Sequence, residues 1–511
     1  MPFLKAEQYL ITIILSSFRL SNQINVSIHR YYSELEAVKK IILLLIISFL
    51  ANRNSQAQEM WGISNSNYAG NMGIFLNPST IVGAPYRYDI NLIALDAFAQ
   101  NNYIYIPKRE GILMNALFGS VGGEKIARDN FTGNSTKAFG HLLIIGPSYI
   151  RNKERTAWGI HSAYRNEISV LKAPAELSKM VYEEYNYQPI FGQRYSADKF
   201  SAAMLGWVEV GGTYGKVLRE SEKHYLKAAA TVNLMIGMTG AYLKFKEFEY
   251  TLQDTSTLII HNMNATLAHS SSPTSTGTGG LFGFRGLGLG TTLGATYMHK
   301  RQSSGFECST VADRVKKYDY RIGVSLMDLG LIHFFKNSSK TQFQTTTDRV
   351  WTGIDSTDIN NVNALDTILN NRVNGVQVSE STNFSMITPT AISIQFDYSF
   401  TPRVYANLSW VNRLHFKANQ VARGNQIDLS VRYEKRRWEV NGNVSLFEYQ
   451  RPAAGIGFRY AFFIIGTDRL LEWVNLSDVY AFDFFFGLKF NLCELSLRTR
   501  DPDCPAFGSL N

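Results

Sequence analysis

From about residue 85 onward, apolar and polar residues alternate with a period of two. Leu287, Leu289, Leu293, Ala295 and Tyr297 fall on one face of the segment Gly286 to Met298, opposite Gly286, Gly288, Gly290, Thr292, Gly294 and Thr296. Side chains of an extended chain point alternately to its two faces, so this pattern predicts a strand with one apolar and one small or polar face. Ala391 to Phe400 repeats it, setting Ile392, Ile394, Phe396 and Tyr398 against Ser393, Gln395, Asp397 and Ser399. Val479 to Phe490 does so again with Tyr480, Phe482, Phe484, Phe486, Leu488 and Phe490. Further runs of this kind lie near 88–99, 141–151, 157–166, 204–215, 225–243, 318–332, 403–413, 426–434, 437–447 and 454–465.

Alternation alone fits a soluble sandwich as well as a membrane barrel, because both hide one face of each strand from water. Strand length separates them. Runs of about 9–13 residues match a tilted transmembrane strand and exceed the usual five or six. Tight connections at Thr401-Pro402 and Glu434 to Arg437 suit up-and-down neighbours. The reading is therefore all-β: an antiparallel transmembrane β-barrel over residues 86–490, with about 14 strands because bacterial barrels keep even numbers. Long loops are expected near 250–285 and 336–383, the second with a short helix around Asn363 to Asn371, and a tail over 491–511. After Ala57 no stretch of 18 uninterrupted apolar residues occurs, so no helical span is expected.

The first sixty residues follow a different pattern. Lys39-Lys40 precede an apolar run, Ile41 to Ala51, and then Ser55-Gln56-Ala57, a small-x-small cleavage site. Residues 38–57 thus read as a cleaved signal peptide, which sends the chain across the inner membrane to the outer membrane. Residues 1–37 stand upstream of that signal and read as an over-extended gene start, with Val38 at the initiator position.

Composition sharpens this only slightly. Aromatics make up 13% of the chain, with 27 Tyr and 32 Phe, as suits strands with aromatic belts. Residues 58–511 carry 45 Lys and Arg against 39 Asp and Glu, scattered except at Lys435-Arg436-Arg437. No basic stripe with interleaved aromatics occurs, so no nucleic-acid partner is expected. Cys493 and Cys504 could close a small disulfide loop in an oxidising compartment, and Cys308 is a rival partner. The Cys and His positions form no metal constellation, and nothing calls for a cofactor. His161 adjoins Ser162, but neighbours in a strand face opposite ways, so adjacency makes no nucleophile–base pair. A His/Ser pair drawn from different strands, as in a membrane hydrolase, remains the one catalytic arrangement left open; no enzyme is expected.

Residues 58–85 lack alternation and are dense in Gly and Asn. They include Trp61-Gly62-Ile63-Ser64-Asn65-Ser66-Asn67-Tyr68-Ala69-Gly70 and then Asn77-Pro78-Ser79. Pro78 fixes its own φ and biases Asn77 towards extended geometry. Such a compact, hydrogen-bonding element suits the inside of a barrel better than its wall. With Asn77-Pro78-Ser79 ahead of a first strand starting Tyr86-Arg87-Tyr88, with Asp328-Leu329-Gly330, and with Phe462 to Asp468, the chain resembles the FadL-like outer-membrane barrels. It is most similar there to an uncharacterised family related to the type IX secretion barrel subunit. That resemblance implies an N-terminal plug inside the barrel, organised around Asn77, Pro78 and Ser79. It also implies passive transport or binding of hydrophobic small molecules. The alternative is a structural or docking component of the outer membrane, with a protein partner at the loops. Either way the barrel wall faces outer-membrane lipid.

Overall fold

The computed structural model describes residues 60–110, 127–153, 155–270, 283–301, 318–355, 377–417 and 419–494. The proposed upstream extension 1–37, the signal peptide 38–57, Cys308, Cys504 and the helix around 363–371 lie outside these residues. Fourteen strands close into one antiparallel barrel. In chain order they are β1 (Tyr86–Asn101), β2 (Thr136–Ile145, continued by Ser148–Asn152), β3 (Thr156–Ala173), β4 (Ser201–Glu220), β5 (His224–Leu252), β6 (Gly286–Lys300) and β7 (Tyr318–Phe334). They continue with β8 (Phe384–Ile387, then Ala391–Ser399), β9 (Val404–Arg413), β10 (Gln426–Glu434), β11 (Trp438–Phe447), β12 (Arg451–Tyr460), β13 (Phe463–Thr467) and β14 (Ala481–Glu494). β14 returns to pair with β1, from Tyr86 opposite Glu494 to Gln100 opposite Ala481, so the wall has no free edge.

Closure decides between barrel and sandwich. The apolar face of each strand points outward: Leu289 is 65% exposed, Val232 59% and Ile160 56%. The opposite face is buried inside, including Gly286, Thr292, Gly294 and Thr296 of β6. Water does not sustain so broad an apolar exterior. Exposed aromatics gather where strands meet the short turns, among them Trp158, Tyr214, Tyr398 and Tyr460. Tyr149 packs on Trp158 and Tyr433 on Trp438, with ring centroids 5.6 and 5.1 Å apart. These positions form one girdle of the kind that flanks a hydrocarbon band.

Where loops were expected, the chain carries more strand. Residues Thr257–Ser270, Ser338–Thr345, Arg349–Thr352 and Gln377–Ser381 extend the sheet at the long-connection end, beside the far half of β5. The signal was hidden by a register shift between Ile260 and Asn262. It moves the apolar set from Leu258 and Ile260 to Met263, Ala265 and Leu267. A one-residue slip exchanges the faces of a strand. β14 likewise runs through Cys493 to Glu494, into the expected tail.

The wall is irregular at two places. In β7, Asp328 takes φ 51°, and the partner register slips between Thr291 and Leu293. Asp328-Leu329-Gly330 therefore marks a bulge inside a strand that continues to Phe334. Asp tolerates the left-handed region better than most residues. In the second place, β13 has five residues between the ten of β12 and the fourteen of β14. Beyond Thr467 the connection 468–480, with its helical turn Leu470–Trp473, stands where strand would otherwise continue.

Candidate functional site: a plug inside the barrel

Residues 60–83 fold into the barrel interior as three short turns, Trp61–Ser64, Gly70–Phe75 and Pro78–Ile81. Almost every side chain there is buried; Trp61, Asn71, Ser79 and Ile81 are fully enclosed. A segment this short has no core of its own, so its order derives from the wall around it.

Asn77 organises the last turn. Its backbone is extended (φ −155°, ψ 106°), as the following proline requires, and its Oδ1 accepts from the Ser79 N–H at 3.1 Å and the Ser79 hydroxyl at 2.7 Å. The other end of the same amide donates to Gln395 Oε1 at 3.0 Å and reaches the Ala295 carbonyl at 3.4 Å. Ser79 Oγ lies 2.6 Å from Thr296 Oγ1, and Ser325 Oγ donates to the Leu76 carbonyl at 2.6 Å. The motif thus binds β6, β7 and β8 at once. The wall makes room for it with glycines: a Cβ on Gly294 would overlap Asn77 Oδ1 and stand 2.8 Å from Pro78 Cδ. A Cβ on Gly323 would stand 2.9 Å from Asn77 Nδ2. These two lumen glycines serve the plug.

Buried charges hold the earlier part of the plug. Glu434 accepts from the Asn67 N–H at 3.1 Å and from its side-chain amide at 2.9 Å, and is itself held by Arg432 Nε at 2.6 Å. Arg432 grips Asp397 through both terminal nitrogens at 2.7 and 2.8 Å. Ser66 donates to Glu439, which pairs with Arg459, and the Arg459 guanidinium lies 4.3 Å from the Tyr68 ring centre. Lys489 donates to the carbonyls of Tyr68 and Ala69 and pairs with Asp89 at 3.2 Å. Each charge has a partner, as burial demands.

Above the plug, towards the long connections, a second belt crosses the lumen. Arg165 binds both oxygens of Asp328 at 2.7 and 2.8 Å, Arg423 approaches the same carboxylate at 3.4 Å, and His141 meets Glu167 at 2.8 Å. Arg423 belongs to the connection 414–425, which dips into the barrel mouth and buries Gln420, Val421 and Ala422. Next to this belt the interior turns apolar: Leu205, Trp207, Met235, Tyr242, Ile332, Phe334, Phe384, Met386 and Val421 form one cluster. β5 leads from there into an outer cluster with Phe248, Tyr250, Met263, Phe343 and Trp351. Two cavities beside the plug offer about 20 and about 10 Å³, room for a water each. A small-molecule site needs about 300 Å³ or more.

The connection 468–480 adds a titrating group. Burial pushes the Glu472 carboxyl up to about 7, against the pull of Arg469, whose Nη1 is 3.7 Å away. In the folded state Glu472 therefore keeps its proton to higher pH than in the unfolded chain, where the ordinary value is 4.5. The stability of this neutral, buried carboxyl is full below pH 4.5 and drains away as pH rises to about 7, by roughly 3 kcal/mol. Hydrogen-exchange protection across residues 468–480, corrected for the intrinsic pH dependence of exchange, is expected to be greater at pH 5 than at pH 8, and Glu472→Gln to flatten that difference. Equal protection at both pH values would contradict it.

The sequence-predicted plug residues Asn77, Pro78 and Ser79 meet at one site. His161 and Ser162 point apart, His161 inward and Ser162 to the Pro147 carbonyl. His333 does bond Ser385 across two strands, at 2.9 Å on the outer face, yet among the described residues no carboxylate pairs with His333. The proposed Cys493–Cys504 bond lies outside the described residues. The charged lumen residues were not picked out from sequence, although Arg165, Arg432 and Asp397 stand on the polar face of alternating runs, a signal that would have found them.

A family model matches residues 78–468, from the plug's proline to the start of the last connection. The chain belongs to a family of unknown function, DUF5723. No curated protein matches it. Among solved structures, this DUF5723 barrel is similar to the toluene transporter TbuX of Ralstonia pickettii, at 9% identity and TM-score 0.39, over 86% of this chain and 98% of that one. It is similar to the Pseudomonas putida toluene transporter TodX at 9% and 0.37, over 86% and 97%. A Pseudomonas aeruginosa FadL homologue matches at 8% and 0.29, over 86% and 100%. Identities this low carry no residue of those proteins over to the DUF5723 chain.

Proposed function

We propose that this protein is an outer-membrane barrel that takes up apolar small molecules at its long-connection end and passes them inward without chemistry. The observation that carries this reading is the apolar lining of the loop-side interior, from Trp207 and Met235 to Phe334, Phe384 and Met386. A barrel that conducts water and ions has a polar interior. Here the approach to the charged belt and the plug is lined with methionine and aromatic rings that adapt to varied apolar shapes. Long connections face the outside in barrels of this architecture and short turns the periplasm, which puts the apolar mouth outside. In this state both closures, the plug and the connection 414–425, are seated.

Liposomes bearing the full mature protein are expected to accumulate a hydrophobic fluorophore faster than protein-free liposomes. Met386→Asp should bring the rate down to the protein-free level while leaving the barrel's heat-modifiable mobility on a detergent gel unchanged. Uptake that ignores Met386→Asp would refute the apolar path. No uptake at all, with a protein partner captured through residues 336–383, would put a docking role in its place.

A further inference from the structure

We infer that the cavity behind Asn77, between the plug and the wall, is a binding site for one small monovalent anion of chloride size. Its lining includes Lys227, Arg321, Asn407, Thr296 and Asn77, and no carboxylate. Lys227 is 3% exposed and donates to the Val82 carbonyl at 2.7 Å. Among the described residues no acid pairs with it, whereas the other lumen cations named above each face a carboxylate. A buried ammonium with one neutral acceptor and no counter-charge is costly.

The neighbourhood confirms the imbalance. Arg321 and Arg432 share Asp397, at 3.0 and 2.7 Å, and Arg432 also holds Glu434. Two arginines thus match two carboxylates, and Lys227 remains as one positive charge in excess. A second donor is idle beside it: Asn407, 1% exposed, spends its Oδ1 on the Ser409 hydroxyl at 2.6 Å, and its Nδ2 has no partner. One water in the cavity would answer Asn407 but leave Lys227 uncompensated. One chloride answers both, and about 20 Å³ limits the guest to a single small ion. Since Val82 and Asn77 belong to the plug, such an ion would tie the plug to β5, β7 and β9.

The test uses the full mature protein in detergent at fixed pH and ionic strength. Exchanging potassium gluconate for potassium chloride is expected to raise the unfolding midpoint by about 2 °C, as for a ligand held in the ten-millimolar range. Lys227→Met should abolish the chloride response. Crystals of the unaltered protein soaked in bromide should show an anomalous peak within reach of Lys227 and Asn407, a reading that does not depend on whether the variant folds. Equal midpoints in the two salts, a chloride response that survives Lys227→Met, or a bromide-free cavity would each overturn the proposal, leaving Lys227 as an uncharged amine.

Discussion

Replacing Gly294 by valine is expected to drive the plug out of a barrel that otherwise still forms. Valine favours strand geometry, and residue 294 faces inward, so β6 keeps its partners and its outer face. The new Cβ, however, falls on Asn77 Oδ1 and against Pro78. Forcing side chains into a packed interior costs about 1–3 kcal/mol, and here the obstacle is a proline-locked turn that cannot rotate aside. Displacing it forfeits the bonds of Asn77 to Gln395 and of Ser79 to Thr296. Protease should then cut within residues 58–85 of the folded variant and spare them in the unaltered protein. Ion conductance should rise little, because the connection 414–425 still closes the other mouth through Val421 and Arg423. A Gly294→Val barrel whose plug stays protected would refute this account of the lumen glycines.

Arg432→Met is expected to be the most destabilising single change in the lumen. Methionine approximates the length of the arginine stem but offers no donor. Asp397 would lose its bidentate partner and keep only Arg321 and the Tyr318 hydroxyl, and Glu434 would lose the cation 2.6 Å away while still buried. Removing one member of a buried pair typically costs about 3–5 kcal/mol, because the remaining charge is left uncompensated. Glu434 also holds Asn67, so the plug should loosen with it. Equilibrium unfolding in denaturant measures the loss. Adding Glu434→Gln to Arg432→Met should recover part of it, since the amide is neutral and can still accept from Asn67. A loss below about 1 kcal/mol would mean that water reaches these charges.

Much of the wall was legible because each strand of a closed barrel has one face in lipid and one in the lumen. Leu287, Leu289 and Leu293 lie outside and Gly288, Gly290 and Gly294 inside, as their alternation implies. Fourteen strands follow from counting such runs and requiring that the sheet close. Legibility failed where the two-sided rule fails. Around Phe334 and Met386 the polarity is reversed: Ile332, Phe334, Phe384 and Met386 are buried inside while His333 and Ser385 lie on the outer face, so a rule that sends apolar residues outward assigns the wrong side. At Asp328 and at Ile260 a single extra residue exchanges the faces and hides the continuation of the strand. The extended backbone of Asn77 was readable from the proline that follows, since that restriction is local, whereas its cap on Ser79 came only with the structure. The motif's partners Gln395 and Thr296 were not readable either, because only the closed barrel brings them near.

The plug's contacts bear on the order in which the molecule assembles. Trp61 meets Asp468, Asn65 meets Ser409 and Ser66 meets Glu439, across 407, 344 and 373 positions of sequence. The first turn of the plug therefore lacks these partners until the strands made last are in place, whereas Asn71, Val82 and Gly83 already meet Asp89, Lys227 and Asn152 of earlier strands. Contacts this distant form late, after the cost of closing the intervening chain has been met. The start of the plug is thus a reporter of completion: a barrel lacking its final strands would leave residues 60–68 without their partners, where proteases that clear unfinished barrels could reach them.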